Sequence, residues 1–252
     1  MNTSGESTYQ QALSHTREHT AHTGNGYVTL LVLVAMLGVA AAGVWQLSLG
    51  AVVLGVTLTA GGTLGFLFVL AGFYLLQPNQ AAAILLFGDY KGTDRVNGLR
   101  WVLPWLIRTK ISTRIHNITS DKLKVNDLRG NPIEIAANVV WRVTDTAQAL
   151  FDVANYMEFV EIQIESAVRE IAGKYPYDDF EHQEKTLRSD AEIVNGELER
   201  ELQERVGRAG ITIDESRLTH LAYAQEIAQA MLRRQQAEAV IAARQKIVIG
   251  AV

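Results

Sequence analysis

Asp178, Asp179, Glu181 and His182 place three carboxylates and an imidazole in a run of five residues, the side-chain types of acid–base and metal chemistry. Adjacent side chains on a helix diverge, so this cluster reads as a solvated face and not as a catalytic pair. His15, His19 and His22 stand at helical spacing and would be candidate metal ligands, but a polar tail has no second layer of hydrogen bonds to orient them. The chain has no cysteine. That excludes disulfides, thiolate metal sites and cysteine nucleophiles, and agrees with a reducing compartment. There is no Gly-x-Ser-x-Gly elbow, Ser-x-x-Lys pair, phosphate-binding glycine loop or His-Glu-x-x-His helix. No catalytic, metal or cofactor-binding residue is assigned, no cofactor is expected, and the expectation is that the chain is not an enzyme.

A different chemistry is written between Gly98 and Arg108. Trp101 and Trp105 bracket Leu103 and Pro104, with Arg100 and Arg108 at the flanks. Amphipathic rings beside cations suit a loop that dips into a lipid headgroup layer. The alternative is two core tryptophans in a strand and turn. From Gln77 to Gly130 there are 9 Lys and Arg against 4 Asp and Glu, whereas Asn131 to Val252 carries 13 against 21. The basic half therefore fits a bilayer with anionic headgroups. Nucleic acid is not expected, because no recognition helix or aromatic RNA-binding motif accompanies the charge.

The elements that would position this loop begin in the membrane. Residues 27–76 contain no charged side chain, too long for one span of about 20 residues and long enough for two. The expectation is a transmembrane hairpin, helices 27–47 and 49–76, hinged at Gln46 to Gly50, with the small residues Gly38, Ala42, Gly61, Gly65 and Gly72 allowing close approach. Positive charge is absent from the link and present outside the hairpin, which puts both termini on the cytoplasmic side. A signal peptide is disfavoured by the missing basic start and the length of the apolar run. Residues 1–26 are polar and are expected to form a disordered tail.

The body, 77–223, is expected to be α+β, a small mostly antiparallel sheet with packed helices. Ile133, Ile135, Ala137, Val139, Trp141 and Val143 alternate with Glu134, Asn138 and Arg142, the mark of a strand with one buried face. Asp127 to Pro132 has turn residues to join it to a strand at 122–126. Earlier strands are expected at 82–87 and 111–115. Asp145 is placed to cap a short helix through Ala149 and Phe151. Tyr156, Val160, Ile164, Ala167 and Ile171 fall on one stripe of a helix over 156–172. A further helix is expected over 181–208, with Glu184/Arg188, Glu201/Arg205 and Glu204/Arg208 in favourable i,i+4 order, then a strand at 211–218. The membrane-proximal basic part is taken as 77–143 and the acidic α/β part as 144–223.

From residue 224 a long Ala-rich C-terminal helix begins. Its large apolar residues, Ile227, Met231 and Ile241, are few, and alanines such as Ala237 cover the rest. Such a face gains little from its own domain and more from copies of itself, so a homo-oligomer is expected, with Ile227, Met231, Ala237 and Ile241 as its seam. The apolar close at Ile247 to Val252 suggests a helix that continues in a longer native chain.

The order of membrane segment, Gln77-Pro78-Asn79-Gln80-Ala81, the Gly98 to Trp105 segment, Asn131-Pro132-Ile133-Glu134-Ile135 and Val139-Val140-Trp141-Arg142-Val143 resembles the SPFH, Band 7 or prohibitin-homology family of stomatins, prohibitins, flotillins and bacterial relatives. Ala167 to Gly173, Gly210 to Ile213 and Glu226 to Met231 leading into Gln236 to Ala239 continue the resemblance, which covers roughly 76–246. It implies a non-enzymatic membrane scaffold whose subunits form rings or cages, organise membrane microdomains and regulate enclosed membrane proteins or proteases. The alternative is a membrane-associated protease or a protease-regulating adaptor without large-scale assembly. Two spans instead of one depart from the simplest family pattern and change which side the body occupies.

Overall fold

The structure is a computed structural model that describes residues 16–179 and 184–250. The expectations for the tail before residue 16, for His15, and for Glu181 and His182 fall outside the described residues. The chain divides into two compact units, Met1–Arg114 with Val143–Asp152, and Ile115–Arg142 with Val153–Val252.

The first unit carries the hairpin. Helix α1 (Gly26–Ser48) and helix α2 (Val52–Ala71) are both long and apolar enough to cross a membrane. Asn25 caps α1, its side-chain oxygen accepting from the Tyr27 N–H at 3.0 Å. The helices approach through Gly43, Gly55 and Gly62: a methyl on Gly43 would lie 2.5 Å from the backbone nitrogen of Thr59, and one on Gly62 2.6 Å from that of Ala40. Gly38 and Gly61, expected on close faces, have open space around them.

The second span is shorter than the expected 49–76. It stops at Ala71, and Phe73–Leu76 is a strand, β2, in which Tyr74 and Leu76 are buried and Leu75 is exposed. A short apolar run flush against a helix conceals this two-residue period. Strand β1 (Gly24–Asn25) and β2 flank β5 (Gly98–Trp101), both antiparallel to it. A second sheet places β3 (Gln80–Leu86) between β4 (Asp89–Asp94) and β6 (Ile107–Ser112), again antiparallel. Strands were expected at 82–87 and 111–115; the second ends at Ser112 and begins four residues earlier.

Residues 16–25, expected to be disordered, are ordered against this unit. The Thr93 N–H donates to the His19 carbonyl at 2.7 Å, and the Ala21 N–H donates to the Thr93 carbonyl at 3.0 Å. Glu18 accepts from the Thr146 N–H at 2.7 Å and its hydroxyl at 2.9 Å. Polar residues that bury nothing hydrophobic are held here by partners more than seventy residues away, which composition does not reveal.

In the second unit the long β9 (Pro132–Val143) has β7 (His116–Thr119) and β8 (Leu123–Asn126) paired antiparallel along it, and β10 (Ile211–Tyr223) as a further neighbour. Ile133, Ile135, Ala137, Val139 and Trp141 are fully buried, as their alternation predicts. The β8–β9 turn is closed by Asp127, which accepts from the Arg129 N–H at 2.9 Å and the Asn131 N–H at 2.8 Å, while Gly130 takes φ 80°. Helix α3 (Tyr156–Lys174) buries Val160, Ile164, Ala167 and Ile171.

Helix α4 (Ala191–Val206) starts ten residues later than the expected 181. Over 186–190 side chains compete for the backbone: Asp190 accepts from the Thr186 N–H at 2.9 Å, and Thr186 Oγ1 from the Ser189 N–H at 2.9 Å. Glu184 pairs with Arg129 at 3.1 Å, whereas Glu201 and Arg205 form the expected i,i+4 pair at 2.8 Å. The chain ends in helix α5 (Gln225–Gly250). The α+β class, hairpin and terminal helix all stand; the single expected sheet is several small ones, antiparallel wherever the registers above are given.

Candidate membrane interface

Strand β5 meets both ends of the hairpin. A methyl on Gly26, at the start of α1, would lie 2.5 Å from the Leu99 carbonyl, and one on Gly72, just past α2, would lie 2.4 Å from the Val102 oxygen. Only glycine permits these approaches. The last carbonyls of α2 lack partners within the helix and form the negative end of its dipole. The Trp101 indole N–H donates to the Val69 carbonyl at 2.8 Å, and Arg108 donates to the carbonyls of Ala71 at 3.0 Å and Phe73 at 3.3 Å. The Arg108 guanidinium also lies 5.7 Å from the Tyr74 ring centroid.

Arg100 turns inward. Its Nε donates to Asp94 Oδ2 at 3.0 Å, and the arginine side chain is 16% exposed against 3% for the aspartate. The same carboxylate accepts from the Tyr74 hydroxyl at 2.6 Å and the Thr23 hydroxyl at 3.0 Å, and from the Val96 N–H at 3.0 Å. Burial alone would push the Asp94 carboxyl up; these donors outweigh it and hold the group below its usual range. Glu18 behaves alike, its burial outweighed by Arg95 and Thr146. The basic stretch therefore directs Arg95, Arg100 and Arg108 to carboxylates and carbonyls of the same unit, leaving side chains such as Lys110 exposed.

The six residues expected at a membrane interface thus separate. Trp101, which is half-buried, and Arg108 bind carbonyls at the end of the hairpin, and Arg100 binds Asp94. Leu103, Pro104 and Trp105 form a turn closed by the Leu106 N–H donating to the Leu103 carbonyl at 3.0 Å. Leu103 is exposed, Trp105 is 50% exposed, and Ile107 beyond them is exposed as well. The Trp105 ring stands 5.7 Å from that of Phe68, in the last turn of α2, so it lies at the level where that helix ends.

The four expected seam residues also divide. Ile227 and Met231 are half-buried and share a stripe with Gln235, whose amide donates to Asp178 Oδ2 at 3.1 Å. The Tyr223 hydroxyl donates to Asp178 Oδ1 at 2.8 Å. This is what becomes of Asp178 in the acidic run, and Asp179 accepts from Arg129 at 3.1 Å. Ala237 and Ile241 are exposed. On the side away from the Gln235 stripe, sequence reasoning missed Leu232, Val240 and Ile247, which are 55%, 52% and 71% exposed. Their i, i+8, i+15 spacing keeps them on one face, a signal present in the sequence but masked by intervening arginines and glutamines.

His19 packs edge-on against Tyr90 at 4.8 Å. Asp145 accepts from the N–H groups of Ala147 and Gln148, each at 3.0 Å, capping a π-helical turn over Gln148–Asp152 where a short helix was expected.

Comparison with known proteins gives the same outline. Residues 74–248 match the SPFH domain / Band 7 family. Protein HflC of Treponema pallidum (strain Nichols) is 28% identical over 131 residues, 50% of this chain and 40% of that protein, so the similarity spans less than half the relative's length.

Proposed function

The chain belongs to the SPFH domain / Band 7 family and carries two apolar helices of membrane-spanning length, and from that premise we propose that it is a non-enzymatic scaffold that assembles laterally into rings or cages on the membrane. Such an assembly organises a membrane patch and regulates membrane proteins, including proteases, enclosed by it. The observation that carries the reading is the outer face of α5: Leu232, Val240 and Ile247 are large apolar side chains that their own subunit leaves exposed. A second copy would cover them, each buried side chain contributing roughly 1.5–3 kcal/mol.

The seam then runs through Leu232, Val240 and Ile247, with Ala237 at its edge, while Ile227 and Met231 serve the attachment of α5 to its own body. Leu103, Pro104 and Trp105 contact the bilayer interface, where Lys110 meets anionic headgroups. Both termini lie on the cytoplasmic side, since the three-residue link at 49–51 carries no Lys or Arg and the flanks do.

The test is the mass of the full chain in native lipid nanodiscs, by mass photometry with negative-stain imaging of the same sample. A discrete ring or cage of many subunits is expected. A stable monomer or dimer would refute lateral assembly and favour an adaptor.

A further inference from the structure

The first unit contains a recess of about 290 Å³ beside the Leu103–Leu106 turn. Its walls are Ile84, Leu86, Leu103, Trp105 and Leu106, and Lys91 and His22 also line it. Ile84 is buried, so the apolar lining reaches the inside of the β3 sheet. Trp105 is at once a wall of the recess and the neighbour of Phe68 on α2, which puts the recess within one side chain of the hairpin's last turn.

We infer that this recess holds part of one acyl chain of an anionic phospholipid, with the lipid phosphate on Lys91. The inference rests on the reading that the Leu103–Trp105 turn contacts the bilayer. Size supports a single chain: the volume lies at the lower edge of the roughly 300–1,000 Å³ of ordinary small-ligand pockets, too little for a bulky ring system with its surroundings. Charge sets the headgroup. Among the described residues Lys91 pairs with the exposed Asp89, and a surface pair of this kind contributes so little that a phosphate replaces the carboxylate at small cost. An anionic phospholipid, present at the end of a membrane span, combines an extended apolar tail with such a charge.

The full chain is placed in nanodiscs containing phosphatidylglycerol or phosphatidylcholine with a diazirine on the acyl chain, irradiated, and its labelled residues mapped by mass spectrometry. Labelling of Ile84, Leu86 and Leu106 is expected, about fivefold stronger from phosphatidylglycerol. Lys91→Gln removes that preference and leaves the fold intact, since the side chain is exposed. Equal labelling of the recess by the two lipids, or a preference that survives Lys91→Gln, overturns the headgroup assignment. Label on Phe68 and Trp105 with none on Ile84, Leu86 and Leu106 overturns the lipid site but leaves bilayer contact standing; no label on Phe68 or anywhere in 103–106 overturns both.

Discussion

In the unit that carries the hairpin, a basic residue such as Arg100 turns away from solvent to a buried carboxylate; in α5 an apolar residue such as Leu232 stands in solvent with its arginine neighbours. The first arrangement is satisfied by partners within the unit, and the second leaves large apolar side chains exposed. The excess of Lys and Arg between Gln77 and Gly130 is thus only partly a surface field, because Arg108 binds the carbonyls of Ala71 and Phe73 at the end of the hairpin, Arg100 binds Asp94 and Thr23, and Arg95 binds Glu18. The thin hydrophobicity of α5, by contrast, understates an apolar face that a partner can cover. Composition measures supply, and only geometry shows where each group is used.

Breaking the inward arrangement has the largest expected effect. Asp94→Ala leaves the Arg100 guanidinium without its carboxylate and removes the acceptor of Tyr74, Thr23 and the Val96 N–H. The expected loss is about 3–5 kcal/mol, read as a fall in melting temperature of roughly 6–20 °C in detergent. Leu232→Ser, on the exposed side, should leave that temperature within about 1 °C and reduce assembly mass instead. Equal effects on both readouts would erase the distinction.

The tryptophans sharpen it within one loop. Trp101→Ser deletes the hydrogen bond to Val69 and the packing against Gly72, for a cost of about 2–4 kcal/mol to the hairpin base. Trp105→Ser should spare the melting temperature and weaken lipid crosslinking of the turn, with an effect of about 1–2 kcal/mol on partition. Should both variants melt alike and crosslink alike, the two rings would not have separate jobs.

Acidification gives the smallest effect. Glu18 and Asp94 both have folded-state values below the ordinary 4.5 and 3.8, so their contribution is complete above those values and is lost as pH falls through the lower folded ones. Residues 16–25 should stay protected from hydrogen exchange at pH 7 and lose protection below about pH 4, before α3 does. Uniform loss along the chain would contradict a locally held tail.

The alternation of Ile133 to Val143, the Asp127 to Gly130 turn and the stripe of α3 were legible because their signals are local and periodic. The strand Phe73–Leu76 was not, since four apolar residues continuous with a span carry no boundary of their own. The ordering of residues 16–25 was not legible either, because Glu18 answers to Arg95 and Thr146. In the Gly98 to Arg108 segment the inward choice of Trp101 was not legible, because it depends on a glycine at 72 that lets the indole reach the end of α2, and Arg100 and Arg108 turn to Asp94 and to the carbonyls of Ala71 and Phe73, partners that residue type does not mark. In α5 the exposed face was not legible because large apolar residues of one helix divide between faces, Ile227 and Met231 half-buried and Leu232, Val240 and Ile247 exposed.

The central claim, that α5 is the seam between copies, is most directly tested by disulfide formation, for which a chain without cysteine is well suited. Single cysteines at 227, 231, 232, 240 and 247 are introduced into the full chain in native lipid and oxidised under mild conditions. The account predicts intermolecular crosslinks from Leu232→Cys, Val240→Cys and Ile247→Cys, and little from Ile227→Cys or Met231→Cys. Crosslinking confined to 227 and 231, or at none of the five positions, would contradict it.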